Sequence, residues 1–315
     1  MTRVRANGIE IDCEDWGDPS APPLVLVMGL GMPAVLWPDE FVGALVQSGY
    51  RVITFDNRDC GGSTRFDHLP PGNVLRGIFR ALTRRPVAAH YSLDDMAADT
   101  VGVMDAHGIR RAHVVGASMG GMIGQVVAAR YPDRVWSLTS IMSNTGNPDR
   151  RLAFGHWKAL RAITSPPPPP DDHAAVVRHL IRVFGAIGSP GFDENLERLK
   201  PIFERVAERG LSRSGTERQL LAILRSGDRR ELLRRIEVPT LVLHGAVDPL
   251  VPPAAGRDAA ATIPGATLEI VDGMGHDFPP DLMAQLALRI VAHCRAAEPA
   301  GLRTVAAAPT AAVAG

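Results

Sequence analysis

Six short apolar segments recur along the chain, and most are followed by a stretch in which apolar residues repeat at helical spacing. The segments are almost continuously hydrophobic, which is typical of strands in a sheet that is covered on both faces. This alternation predicts a mostly parallel sheet with helices on both sides. The predicted strands are Pro23–Gly29, Tyr50–Asp56, Ala112–Ser118, Val135–Ser143, Pro239–Gly245 and Ala266–Asp272. The predicted helices are Pro38–Ser48, Leu93–His107, Met119–Tyr131 and Pro280–Cys294.

Two regions depart from this alternation. Apolar and polar residues alternate over Gly8–Asp15, which predicts an antiparallel hairpin at the sheet edge. Between residues 144 and 236 helical stripes replace the strands, as in Asp171–Ile187 and Gly215–Ser226, and the prolines 166–170 predict a stiff non-helical spacer. We therefore expect a core over 1–143 and 237–298, a helical cap over 144–236, and a disordered tail over 299–315.

Composition narrows the classes of protein to which the chain can belong. A formal net charge of zero gives no electrostatic case for binding nucleic acid or an anionic membrane surface. The three cysteines are widely spaced, which predicts neither a metal site nor a disulfide framework and suits a reducing compartment. No apolar run reaches the ~18 residues of a membrane span. The expectation is a cytoplasmic protein without a membrane span, and the sequence leaves its oligomeric state open.

One serine lies at a predicted junction between a strand and a helix. Gly116, Ser118 and Gly120 form the pattern G-x-S-x-G between the strand Ala112–Ser118 and the helix that follows. Such a turn strains the serine backbone, projects its hydroxyl above the sheet edge and places helix N-terminal N–H groups nearby. The alternative is an ordinary glycine-rich turn. We expect Ser118 to be a nucleophile.

A serine nucleophile needs a base, and the base needs a carboxylate to orient it. Asp248 follows the strand Pro239–Gly245, and His276 follows the next strand, so both should lie at the sheet edge that carries Ser118. His244 stands at a strand end, where a structural role is expected, and Asp272 and Asp277 compete with Asp248 for the acid role. We predict the triad Ser118, His276 and Asp248.

The oxyanion of an acyl-transfer reaction needs two N–H donors. One is expected from Met119, directly after the nucleophile, and the other from the glycine-rich loop after the first long strand. We assign that second donor to Leu30, with Gly29 as the neighbouring possibility and a purely structural turn as the alternative.

These motifs together resemble those of the α/β-hydrolase superfamily, over residues 8–295 and most weakly in the cap. The segment Asp56–Ser63 matches the signature D-x-R-x-x-G-x-S, and the blocks around Ser118 and Asp248 match as well. The combination is closer still to a branch of bacterial carboxylesterases that includes aclacinomycin methylesterase. The resemblance implies an eight-stranded α/β fold with a cap and the triad roles given above. Met28 departs from it, because a histidine is common at this position.

The expected reaction is hydrolysis of a carboxylic ester through an acyl-enzyme, with no metal and no organic cofactor. Four methionines lie in motif loops and would form an adaptable apolar wall. Three of them are expected to line the substrate pocket together with Gly29. They are Met28, Met32, Met119 and Met274, with Met119 in the oxyanion role. The alternative is that these methionines merely fill gaps in the core. This predicts a small-molecule, hydrophobic or ring-bearing ester as substrate. The same triad would also serve a thioesterase, lactonase, perhydrolase or C–C bond hydrolase, and a non-catalytic ligand-binding protein is a further alternative.

Overall fold

A computed structural model describes residues 1–153 and 155–299, without the side chains of residues 150 and 153. Eight strands form one sheet in the order β1-β2-β4-β3-β5-β6-β7-β8. The strands are β1 Thr2–Ala6, β2 Ile9–Trp16, β3 Pro23–Val27, β4 Arg51–Phe55, β5 Ala112–Ala117, β6 Val135–Ile141, β7 Thr240–Gly245 and β8 Thr267–Val271. The predicted tail lies outside the described residues except for Pro299.

The sheet is parallel from β4 to β8, and its first two strands are antiparallel. β3 pairs in parallel with both β4 and β5, so it lies near the middle of the sheet. β1 and β2 form a hairpin at the edge, and β2 pairs with β4 in the antiparallel sense. The fold class predicted from the pattern is therefore confirmed, and the edge hairpin is longer than Gly8–Asp15.

Helices cover both faces of the sheet. One apolar cluster contains Val25, Val114 and Ile123 on one face, and the other contains Leu26, Val115 and Leu286 on the opposite face. The buried strands alternate between these clusters, which explains their continuous hydrophobicity. The helices outside the cap are α1 Asp39–Gln47, α2 Val74–Leu82, α3 Leu93–Ala106, α4 Met119–Arg130, α11 Pro253–Thr262 and α12 Met283–Ala297.

The segment between β6 and β7 is helical, and it carries its own apolar cluster. In α7 the residues Val176, Leu180, Val183 and Ile187 are buried, as their spacing predicts. Residues 166–169 form no regular structure. The helices here are α5 Arg150–Ala153, α6 Trp157–Ile163, α7 His173–Ile187, α8 Leu196–Arg209, α9 Arg213–Ser226 and α10 Arg230–Leu233. All six helices lie within residues 144–236, the range predicted for the cap. The division into domains stays a prediction.

Buried ion pairs hold this cap segment on the core. The Arg218 guanidinium on α9 lies 2.7 Å from Asp59 Oδ1, and both side chains are fully buried. On α8, Arg209 pairs with Asp12 at 2.7 Å and also contacts the Asp56 carboxylate. The acidic partners of α8 and α9 in these pairs therefore come from β2 and from the loop after β4.

No helix among the described residues is both long and apolar enough to cross a membrane.

Candidate active site

Ser118 lies in the tight turn between β5 and α4. Its backbone has φ 55° and ψ −117°, a left-handed conformation that is strained for a residue with a side chain. The turn also requires close packing, because a Cβ at Gly120 would overlap the carbonyl of Val27. The half-buried Ser118 hydroxyl therefore stands at the carboxyl edge of the sheet, at the N-terminus of α4.

The structure brings the other two predicted triad residues to this serine. His276 Nε2 lies 3.0 Å from Ser118 Oγ, and His276 Nδ1 lies 2.8 Å from Asp248 Oδ2. Because an ionised carboxylate only accepts hydrogen bonds, Nδ1 carries the proton and Nε2 is free to accept one from the serine hydroxyl. The arrangement can activate Ser118 as a nucleophile.

Asp248 is held as an anion by its surroundings. Burial alone would raise the pKa of this carboxyl group, but the charge of His276 and the hydrogen bonds from His244 and His276 hold the pKa well below its usual range. The N–H groups of Leu250 and Val251 each donate to Oδ1 at 2.8 Å. His244 is fully buried, with Nε2 2.9 Å from the carbonyl oxygen of Val251 and 3.5 Å from Asp248, so its place is beside the triad acid.

The cap supports the loop that carries His276. The backbone N–H of His276 donates to the carbonyl of Ile187, at the end of α7, at 2.8 Å. Ser189 Oγ accepts from the N–H of Gly275 and donates to Asp277 Oδ1. Asp277 therefore binds the cap, and burial raises its pKa. The sequence did not reveal the supporting role of Ile187 and Ser189. Their hydrogen bonds join segments about 90 residues apart, and neither residue belongs to a recognisable motif.

The predicted oxyanion loop passes directly over the serine. A Cβ built at Gly29 would lie 3.3 Å from Ser118 Cβ, which fixes how closely this loop approaches. Among the described residues the N–H groups of Leu30 and Met119 have no hydrogen-bond acceptor, so both remain available to an oxyanion. The loop after β4 anchors this segment at both ends.

Two side chains from the loop after β4 make these anchoring bonds. Asn57 Nδ2 donates to the carbonyl of Met28 at 2.9 Å, and Asp56 Oδ1 accepts from the N–H of Ala34 at 2.6 Å. The signature motif that contains Asp56 thus stabilises the oxyanion loop from below.

A cavity of about 1280 Å³ opens above Ser118 and His276, between core and cap. Met28, Gly29 and Met32 line it, as predicted. Met274 and the Met119 side chain do not: both are fully buried in the core clusters, because the loops turn these side chains toward the sheet. Most of the cap's contribution is apolar. It includes Leu160, Ile163, Phe184, Ile202, Phe203 and Leu220.

Within residues 1–153 and 155–299, no group of three or more histidine, cysteine, aspartate or glutamate side chains could hold a metal ion. The three cysteines are buried and unpaired.

Comparison with known proteins agrees with this architecture. The family model of the alpha/beta hydrolase fold matches residues 22–281. The rhodomycin D methylesterase DauP of Streptomyces sp. (strain C5) is 32% identical over 310 residues, covering 90% of this chain and 94% of the relative. The rhodomycin D methylesterase DnrP of Streptomyces peucetius is 31% identical and covers 94% of this chain and 99% of the relative.

Solved structures are similar in fold at lower identity. The enol-lactonase from Burkholderia xenovorans has a TM-score of 0.69 at 23% identity, covering 93% of this chain and 99% of the lactonase. A meta-cleavage product hydrolase from Pseudomonas fluorescens has a TM-score of 0.72 at 20% identity, covering 95% of this chain and 98% of that hydrolase. At these identities the likeness shows the fold alone.

Proposed function

The chain belongs to the α/β-hydrolase fold family, and from this premise we propose that it is a carboxylic ester hydrolase that works through an acyl-enzyme on Ser118. His276 is the general base and Asp248 its orienting acid. One observation carries the proposal: Ser118 Oγ, the His276 ring and the Asp248 carboxylate form a continuous hydrogen-bonded chain, with links of 3.0 and 2.8 Å, at the floor of an apolar cavity.

The reaction proceeds in two half-reactions. In acylation, Ser118 Oγ attacks the ester carbonyl while its proton moves to His276 Nε2, and the tetrahedral oxyanion accepts hydrogen bonds from the N–H groups of Leu30 and Met119. His276 then gives the proton to the departing alkoxide, which leaves as an alcohol. In deacylation, a water molecule loses a proton to His276 as it attacks the acyl-enzyme, and the second tetrahedral intermediate then collapses. His276 returns the proton to the departing Ser118 Oγ, so that the acid is released and the serine hydroxyl and neutral imidazole are restored.

The two oxyanion donors are as important to the rate as the base. Removing one such donor lowers turnover by about 10²–10³-fold in serine hydrolases. Asp248 stabilises the imidazolium that His276 becomes in each transition state, because its low pKa keeps it ionised throughout.

The cavity supports a bulky, ring-bearing acid as the acyl part of the ester. At about 1280 Å³ it exceeds the ~300–1,000 Å³ of typical small-molecule pockets. Much of its wall is built from aliphatic, aromatic and thioether side chains, which bind apolar rings without directional demands. Charged side chains line it as well, among them Arg84, Arg85, Arg213, Arg225, Arg229 and Arg230. The two methylesterase relatives favour a methyl ester as the bond that is cleaved. We therefore propose a methyl ester of a polycyclic or otherwise bulky acid.

A matched set of esters tests this proposal. Methyl esters of a polycyclic aromatic acid, of benzoic acid and of acetic acid are assayed by methanol release, beside a thioester and a lactone of similar size. We expect kcat/KM to rise with the size of the acyl group by at least tenfold from acetate to the polycycle, with Ser118→Ala inactive throughout. A preference for acetate would contradict the bulky substrate, and a preference for the thioester or lactone would contradict the ester chemistry.

A further inference from the structure

We propose that Gln219, on cap helix α9, is a positioning residue for the oxyanion hole. The inference rests on the proposed function, because it concerns the loop that would bind the oxyanion of that reaction. Gln219 is completely buried, although a primary amide is polar at both ends. A buried amide of this kind persists where its groups are hydrogen-bonded.

Both ends of the amide bind backbone of the core. Gln219 Oε1 accepts from the N–H of Gly31 at 2.7 Å, and Nε2 donates to the carbonyl of Arg58 at 2.7 Å. The two partners fix the orientation of the amide, because an N–H group can only donate and a carbonyl can only accept. Gln219 therefore ties the oxyanion loop to the loop after β4.

The Gly31 N–H belongs to the peptide that follows Leu30, the assigned oxyanion donor. Gly31 has φ +68°, so the loop turns sharply at this residue. Thr216, one helical turn before Gln219, packs against the same turn: a Cβ at Gly31 would lie 2.5 Å from Thr216 Oγ1. Helix α9 thus holds the turn by one hydrogen bond and one steric contact, and it sets the direction of the Leu30 peptide.

The bonds from the core hold the two ends of the loop, because Asn57 and Asp56 bind Met28 and Ala34. In the middle of the loop the Met32 N–H donates to the carbonyl of Gly29 at 3.4 Å. Gln219 adds a shorter hydrogen bond there, to the Gly31 N–H, from outside the loop. Loss of the amide would leave the Gly31 N–H without an acceptor. The turn could then shift until this N–H finds a different acceptor. The oxyanion forms in the tetrahedral intermediate and in the transition states that lead to and from it, and not in the bound substrate, so kcat should fall while KM changes little.

The test compares two identical substitutions. Gln219→Met removes both hydrogen bonds at nearly constant side-chain volume. Gln125→Met is the matched control, because Gln125 is also a fully buried glutamine but donates to Ser140 on β6 and does not touch the loop. With a p-nitrophenyl ester as substrate, we expect Gln219→Met to lower kcat by 10- to 100-fold with KM within threefold of wild type. Gln125→Met should leave both within threefold.

A conservative variant separates positioning from a general loss of structure. In Gln219→Glu the ionised carboxylate still accepts from Gly31 but repels the Arg58 carbonyl, whereas the protonated acid can donate to that carbonyl. Its kcat relative to wild type should therefore rise as the pH is lowered from 8 to 6. If Gln219→Met does not fold, this pH dependence decides the question.

Equal kcat values in Gln219→Met and Gln125→Met would overturn the inference, and so would a change in Gln219→Met that is confined to KM. A ratio of Gln219→Glu kcat to wild-type kcat that does not change with pH would overturn it as well. A wild-type protein that hydrolyses no ester and leaves Ser118 unlabelled by a fluorophosphonate would refute the proposed function as well. An active wild type with an unaffected Gln219→Met variant would refute this inference alone.

Discussion

At the scale of single residues, the Asp248 carboxylate has two separate duties. Oδ1 accepts from two backbone N–H groups and keeps its own loop folded, while Oδ2 accepts from His276. The first duty needs only an acceptor. In the proposed reaction the second needs a negative charge, because it would select the His276 tautomer with the proton on Nδ1 and stabilise the imidazolium.

Asp248→Asn separates these duties. The amide oxygen can still accept from Leu250 and Val251, but the amide nitrogen would face His276 and disfavour the productive tautomer. We expect kcat to fall by about 10⁴-fold with the fold preserved. Steady-state kinetics with a p-nitrophenyl ester, beside far-UV circular dichroism, measures this, and a loss below tenfold would contradict the acid role.

The same group has a defined effect on stability. The pKa of Asp248 is lower in the folded protein than the ~3.9 of an unfolded chain. Its ionisation therefore stabilises the fold fully above about pH 4, and this contribution is lost as the pH falls through the folded pKa. In urea unfolding, the stability difference between wild type and Asp248→Asn should shrink as the pH is lowered below 4.

Not all of the site residues could be predicted from the sequence. Ser118, Asp248 and His276 each follow the carboxyl end of a strand within a motif, and the structure places them within hydrogen-bonding distance of one another. Gln219 and Ser189 lack such a signal. Gln219 meets Gly31 across 188 residues, and its partners are backbone groups that any residue type carries. Such contacts depend on tertiary packing alone.

At the scale of elements, helix α9 links cap and core through a buried charge. Arg218 and Asp59 are both fully buried, and Asp59 also accepts from the Tyr91 hydroxyl at 2.7 Å. Removing the guanidinium would leave the Asp59 carboxylate buried without its counter-ion. Such broken pairs cost several times more than exposed ones.

Arg218→Met should therefore lower the free energy of unfolding by about 3–5 kcal/mol. Arg213→Met is the matched control on the same helix, because the pair of Arg213 with Glu217 is solvent-exposed and contributes at most about 1 kcal/mol. Equilibrium urea unfolding of both variants measures the difference. Equal losses would show that the buried pair does not hold the cap in place.

The elements missed from the sequence have identifiable reasons. Helix α8 contains Pro201 and many charged residues, so its apolar stripe of Leu199, Ile202, Phe203 and Val206 is easily overlooked. Helix α2 is only nine residues long and follows Pro70 and Pro71, so its helical spacing of apolar residues extends over little more than two turns. The six apolar strands β3 to β8 were predicted to within one or two residues, because their apolar runs leave a strong signal. Strand β1 lies outside the predicted hairpin Gly8–Asp15.

At the scale of the whole molecule, the cavity belongs to neither core nor cap by itself. Its floor comes from the sheet edge, and its walls come from cap helices and from α2. The alternation of strands and helices was sufficient to predict the sheet. The volume and shape of the cavity were not predictable, because they depend on how separate helices pack at distances that no local pattern specifies.

The central claim is that the three side chains make the Ser118 hydroxyl reactive. The most direct measurement is labelling of the folded protein with a fluorophosphonate, followed by mass spectrometry of the peptide that contains Ser118. We predict one adduct, on Ser118, in the wild type, with its rate reduced by at least 10³-fold in His276→Ala and no adduct in Ser118→Ala. An unlabelled Ser118 in folded wild-type protein, or equal labelling in His276→Ala, would contradict the account.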